Sequence, residues 1–198
     1  MKVSIAALFA TSVLYPVALA ALTVKDVVTN VGIVTSVSGN INSVVSSLST
    51  STTGPDVASM GKTLVAQFTV IINDLGADIT AMQATPPFTV QADCDAIVTA
   101  LGDFVRVHQA LLATVIGKHA IFAQFGATAP VAAVLRTLEA TIDSFAFAMI
   151  NLIPCGAGSV TNDKNGLDTA VGNSITLYAQ LCIPSLLYPT LMPICVAL

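Results

Sequence analysis

Charge is scarce in this 198-residue chain: only 9% of its residues are Asp, Glu, Lys or Arg, against about 25% in an ordinary globular domain. The few basic residues form no cluster, and the formal net charge is −4. Nucleic acid and anionic membranes are captured by concentrated positive charge, so neither is an expected partner. Beyond residue 20 no stretch offers the roughly 18 uninterrupted apolar residues of a spanning helix, and no transmembrane segment is expected in the mature chain. The four cysteines include no C-x-x-C spacing, which leaves zinc binding and thioredoxin-like chemistry without support. A Gly-x-Ser-x-Gly elbow is missing too; Gly156-Ala157-Gly158-Ser159 has the wrong spacing and follows a helical pattern rather than a strand. No Asn-x-Ser/Thr sequon occurs, so N-linked sugar is not expected. Neither a cofactor nor a metal is expected.

What is present begins with a leader. Lys2 supplies the positive start, residues 3–14 the apolar run, and Ala18-Leu19-Ala20 the small-x-small site of a cleavable signal peptide. Residues 1–20 are therefore expected to be removed, placing the mature chain, from Ala21, outside the cell. Without Lys2, six basic residues remain against 11 acidic ones. The remaining length suits one domain, expected over residues 21–182, followed by an apolar tail over 183–198. Cys94, Cys155, Cys182 and Cys195 then meet an oxidising environment, which favours two disulfides over a metal site.

Four long apolar patterns at helical spacing follow. The first, over residues 23–49, puts Val24, Val27, Val31, Val34, Ile41, Val45 and Leu48 on one stripe, although its Val, Ser and Thr are poor helix formers. Ser/Thr-rich residues 49–55 form a loop that suits O-linked sugar. The second, over 55–84, carries Val57, Met60, Leu64, Phe68, Ile71, Leu75, Ile79 and Met82 and stops at Pro86-Pro87. The third, over 90–116, has Thr89 as its expected cap and Asp93 and Asp95 in its first turns, where carboxylates oppose the helix dipole. Residues 117–126 are expected as a connection. The fourth, over 128–152, shows Val131, Leu135, Leu138, Ile142, Phe145, Met149 and Leu152. A polar loop at 159–166 and a fifth helix over 167–182 complete an all-α antiparallel bundle. Pro184, Pro189 and Pro193 rule out regular helix in the tail, which is expected to fold back on the bundle. Four cysteines allow three pairings. Antiparallel helices bring Cys94 and Cys155 to one end, so we favour that pair, with Cys182 and Cys195 as a local clamp.

Catalytic material is thin. His108 and His119 are the two imidazoles. His108 lies on the inward stripe of the third helix, where a hydrogen-bonded core residue is favoured over a base; His119 reads as a surface or packing residue. Asp93 and Asp95 point to different faces, and Asp74 and Asp78 read as a solvated face. Cys195-Val196-Ala197-Leu198 fits a prenylation pattern, but an exported chain does not meet the cytosolic transferase. The feature left over is an apolar surplus beside the helix seams: Val70, Ile72, Val98, Val105, Leu112, Ile121, Phe122, Phe125 and Phe147. It makes either a thick core or a surface that takes acyl chains or a hydrophobic solid. An internal acyl-chain lining would use Phe68, Ile72, Leu75, Phe104, Leu111, Phe145 and Met149, with His108 as polar contact. The competing readings are a structural wall protein and a small lipid-active hydrolase with His108 or His119 as base.

The stretches Ile116-Gly117-Lys118-His119 and Ala129-Pro130-Val131-Ala132-Ala133-Val134-Leu135-Arg136-Thr137-Leu138-Glu139 carry a likeness. Together with Ile142-Asp143-Ser144-Phe145-Ala146 and Leu152-Ile153-Pro154, they resemble the fungal hydrophobic-surface-binding protein A family, which includes antigenic cell-wall mannoproteins. The resemblance runs over about residues 22–182. It implies a secreted five-helix domain that adsorbs to hydrophobic surfaces; with so little catalytic material, the chain is expected to be non-enzymatic. The resemblance also implies recruitment of secreted polyester- or lipid-degrading enzymes and, in some cell-wall members, fatty acids held inside the bundle. The four cysteines and the proline-rich tail depart from the family pattern, and the long Ser/Thr stalk of wall-anchored members is missing.

Overall fold

The computed structural model describes residues 21–197. The expected leader with its cleavage site lies outside these residues, as does Leu198. Five long helices and one short one form the body: α1 (Val24–Ser46), α2 (Gly54–Gln83), α3 (Gln91–Gly117), α4 (His119–Gln124), α5 (Thr128–Leu152) and α6 (Ala157–Tyr178), with a 3-10 turn at Pro154–Gly156. Two short strands, β1 (Leu181–Ile183) and β2 (Ile194–Val196), follow.

Local chemistry starts the first two helices. Thr23 and Asp26 form a reciprocal capping box, and Thr53 accepts from the Asp56 backbone N–H ahead of Pro55 in the first turn of α2. At α3 the expected cap fails: Val90 occupies the N-cap position and no side chain bonds the first N–H groups. There the chain is held differently, by the Phe88 N–H donating to the Leu152 carbonyl at 2.8 Å.

The stripes read from sequence are the buried faces. Val27, Val31, Val34, Ile41 and Val45 of α1 meet α3, and α2 packs on α5, α5 on α6, and α3 on α6. The α1–α2 contact, the smallest of the five, closes a ring of long helices around one core. The exposed faces of α2 and α3 carry Lys62, Thr63, Thr69, Thr80, Asp95, Thr99 and Arg106. Even so, Gly54–Gln83 and Gln91–Gly117 are long and apolar enough to cross a membrane by length and mean hydropathy (1.2 and 1.3). The expectation from uninterrupted runs missed this, because scattered polar residues break a run without lowering its average.

Three further departures have physical causes. Residues 117–126 are not a plain connection. They contain α4, whose Ile121, Phe122 and Ala123 are buried, and which ends at Gly126 with φ 71°. There the Ala127 N–H reaches the Phe122 carbonyl and the Gly126 N–H the Ala123 carbonyl, the Schellman arrangement that favours glycine. The polar segment 159–166 is helical, so α6 begins ten residues earlier than the pattern predicts. Val160 buries its side chain, and Lys164 bridges Asp143 of α5 (2.6 Å) and Asp168 (2.5 Å), so tertiary contacts override weak local propensity. The tail folds back as an antiparallel hairpin with Cys182 directly opposite Cys195.

Both disulfides join the favoured partners. Cys94–Cys155 ties the start of α3 to the turn after α5 (Cα–Cα 6.1 Å), and Cys182–Cys195 closes the hairpin. The opposite end of the bundle from Cys94 carries α4 and the hairpin. There Lys118 donates to the Leu48 carbonyl at 2.6 Å and Tyr178 to the Val115 carbonyl at 2.7 Å. Removing Cys94–Cys155 by double substitution to Ala releases a loop with a sequence separation of 61. It is expected to cost about 2–5 kcal/mol in urea unfolding. The same change at Cys182 and Cys195 frees only the peripheral hairpin and is expected to leave the bundle's urea midpoint nearly in place. Gly126→Ala is expected to cost about 1 kcal/mol, since only the C-cap conformation is strained.

Candidate functional site

The core contains one polar pair. His108 of α3 and Ser38 of α1 are both fully buried, and His108 Nδ1 lies 2.9 Å from Ser38 Oγ. Ser38 donates its own proton to the Val34 carbonyl at 3.0 Å, so Nδ1–H donates to Ser38 and Nε2 is left as a buried acceptor without a partner. Phe104 and Phe68 flank the ring at centroid distances of 5.2 and 6.2 Å. Burial alone depresses the imidazole pKa to about 4, so the ring is neutral. A Ser–His pair is the start of a nucleophilic centre, yet among the described residues no third group bonds this imidazole, and the serine is fully buried. Ser38 escaped the sequence reading, although its place on the α1 stripe between Val34 and Ile41 is the signal that would have found it.

The residues expected to line an acyl-chain site are brought together. Phe68, Leu75, Phe104, Leu111, Phe145 and Met149 belong to one continuous buried core, and Ile72 is half-buried against it. The spaces touching them are small: about 10 Å³ beside Phe145 and Met149 next to Val27 and Met82, and about 10 Å³ beside Phe104 and Phe145 next to Leu167. The surplus hydrophobes divide. Val105, Leu112, Ile121 and Phe122 thicken the core, whereas Val70 and Phe147 face solvent.

Larger spaces lie at the surface: two flank the N-terminal half of α2, and a third, about 340 Å³, lies at its C-terminal end beside Phe147 and Asn151. One groove of about 300 Å³ follows the α1–α2 seam, with Ile41, Val44, Met60 and Leu64 as floor and Asn40, Thr63 and Gln67 as polar rim. The other, about 390 Å³, runs between α2 and the α4–α5 turn along Ala58, Val65, Ala66, Phe125 and Pro130, with Lys62 at its edge. Gly61 forms its floor, where a Cβ would come 3.2 Å from the Ala127 Cβ. These volumes fall in the range of small-ligand pockets. Lys62, Asn40, Thr63 and Gln67 were missed because periodicity sorts residues into inside and outside and is blind to a seam.

His119 is a packing residue. It is buried in α4 and meets Tyr178 edge to face at 4.9 Å, and burial lowers its pKa. Its Nε2 lies 3.9 Å from Cys182 Sγ. The grouping of His119 with the sulfurs of Cys182 and Cys195 is not a metal centre, because disulfide sulfurs are not thiolate ligands.

Comparison with known proteins adds two findings. The sequence model of the family described as hydrophobic surface binding protein A matches residues 20–151. Among solved structures, AfMP4p in complex with palmitic acid superposes with a TM-score of 0.71 at 12% identity, covering 79% of this chain and 99% of that one. Ligand binding domain 2 of the Penicillium marneffei MP1 protein, complexed with multiple arachidonic acids, gives 0.66 at 16% identity, covering 78% and 93%. Its ligand binding domain 1, complexed with arachidonic acids, gives 0.66 at 14%, covering 78% and 95%. At these identities the likeness is one of fold. No match is found among curated proteins.

The depressed pKa of His108 makes stability depend on pH. The unfolded chain takes up a proton near pH 6.5 and the native ring near 4. The contribution of His108 is therefore complete above 6.5 and lost as pH falls towards 4, by at most about 3 kcal/mol. Urea midpoints measured between pH 7 and 4 are expected to fall less steeply in His108→Gln than in the parent chain.

Proposed function

From the chain's membership of the hydrophobic surface binding protein A family, a role in hydrophobic-surface or lipid binding follows, and we propose that it is secreted and binds fatty acyl chains without catalysis. The observation that carries this reading is the pair of apolar grooves flanking α2, the larger with a lysine at its rim. A fatty acid laid in the larger groove covers Val65, Ala66 and Phe125 with its chain and brings its carboxylate to the Lys62 ammonium. Removing apolar area from water supplies about 25 cal/mol per Å². The exposed ion pair adds about 0.2–1 kcal/mol and sets the direction in which the chain lies. The complexes of AfMP4p with palmitic acid and of MP1 with arachidonic acids support the ligand class. The core lining around Phe68, Ile72, Leu75, Phe104, His108, Leu111, Phe145 and Met149 is a second, interior place for an acyl chain, reached only if helices separate along the α1–α2 seam. Its bare His108 Nε2 would accept a hydrogen bond from a protonated carboxyl or a hydroxyl.

The absence of catalysis is proposed on geometry: Ser38 and His108 are sealed in the core, and His119 packs on Tyr178. Two disulfides fit an extracellular destination. Recruitment of a secreted hydrolase and residence in the cell wall belong to the same proposal and rest on the sequence resemblance alone.

Native mass spectrometry of the unreduced secreted protein, with organic extraction of what travels with it, tests the proposal. A fatty acid at fixed stoichiometry is expected. A lipid-free chain that still depletes onto hydrophobic beads would favour surface adsorption, and a chain that does neither overturns the reading. In palmitate titrations Lys62→Glu is expected to weaken binding by about two- to tenfold, while a ligand held only in the interior leaves the affinity unchanged.

A further inference from the structure

Exposed apolar surface is not spread evenly over the molecule. Among the described residues, eight of the thirteen exposed large hydrophobic side chains fall within 181–196. Leu181, Ile183, Ile194 and Val196 share one face of the hairpin, because Leu181 pairs with Val196 and Ile183 with Ile194. Cys182 and Cys195 occupy the other face, towards His119. Beyond the strands, the connecting loop presents Leu186 (102% exposed), Leu187 (63%), Leu191 and Met192. Residues 169–198 contain no Asp, Glu, Lys, Arg or His.

We propose that this disulfide-closed hairpin inserts its loop and aliphatic face into a neutral lipid surface, a zwitterionic bilayer interface, and so anchors the bundle there. Several observations converge on that occupant. A protein partner needs polar matches, about one hydrogen bond per 100–200 Å² of interface, and the hairpin's outer face offers aliphatic side chains. Without a basic residue it has nothing to draw it to anionic headgroups, and without a charged side chain it carries no side-chain ionic desolvation cost on meeting the lipid.

Its backbone is provided for in part, which suits the hydrated interface rather than the acyl core. The strands pair with each other, the Leu191 N–H reaches the Leu187 carbonyl at 3.1 Å, and the Gln124 side chain binds both sides of Ser185, donating to its carbonyl (2.9 Å) and accepting from its N–H (2.8 Å). The disulfide holds the shape before contact, so little ordering is left for binding to impose. Tyr188 of the loop packs edge-on against Phe125 at 5.8 Å and so seats the loop on the bundle. Phe125 also lines the larger α2 groove, so the anchor adjoins the entrance through which an acyl chain would pass. That last link rests on the proposed function; the anchoring does not.

The chain has no tryptophan, so Leu187→Trp is a reporter without background. On adding phosphatidylcholine vesicles to the full oxidised variant, its emission is expected to shift to the blue, equally at low and high salt. In vesicle flotation Leu186→Ser/Leu187→Ser is expected to weaken partitioning by on the order of 100-fold, since two exposed leucines lose their transfer to lipid. Phe147→Ser, at the other end of α5, is expected to change nothing. Palmitate titration of the double-Ser variant separates the two ideas: retained palmitate binding with lost vesicle binding supports the anchor and leaves the groove intact. Vesicle binding without a blue shift, equal binding by the double-Ser variant, absence of vesicle binding by the parent chain, or a blue shift that depends on protein concentration without lipid would each overturn the proposal, the last in favour of a second copy of this chain.

Discussion

Five apolar stripes closing on one another hold this structure together, because the helices that carry them have little intrinsic reason to form. α1 is rich in valine, serine, threonine and glycine, all weaker helix formers than alanine or leucine. Its hydroxyls cope by returning to the carbonyl four residues back, as at Thr29, Thr35, Ser36 and Ser43. That satisfies each hydroxyl and leaves stability to burial along Val27, Val31, Val34, Ile41 and Val45. The Cys94–Cys155 bridge, the Lys118 bond to Leu48 and the Tyr178 bond to Val115 fasten the two ends of a ring whose sides are held by packing.

The same constraint shapes what the protein can do. A chain so short of charge has few ways to recognise a partner except by covering apolar surface, and a core filled around Phe68, Phe104 and Met149 moves the open space to the seams. The least extensive of those seams, between α1 and α2, has a groove, and the α4–α5 turn leaves a second on the other side of α2. Ser38 and His108 form a polar pair inside the core, and the bare His108 Nε2 marks where an interior ligand would find a polar contact.

The family motif gains a physical meaning in three dimensions. Lys118 caps the loop after α1, His119 packs on Tyr178, and Pro130 lines the larger groove. Motif residues that look like chemistry in a string are here largely joints of the scaffold. The apolar surplus is likewise of two kinds, since Leu112 and Phe122 complete the core while Phe147 and the hairpin leucines meet solvent.

Helix period, proline stops and cysteine spacing made the all-α class, the buried stripes and the disulfide partners legible. They missed α4, because six residues are too few to show a period, and the first turns of α6, where Lys164 finds Asp143 only after two helices meet. They missed the hairpin because three-residue strands between prolines carry no alternation to count. By itself the sequence determined which residues must leave water, for that depends on side-chain chemistry and spacing along one helix. Tertiary structure alone decided where the seams between helices stay open, which hydrophobes remain uncovered, and that Ser38 meets His108, because each of these depends on how surfaces from distant segments fit against one another.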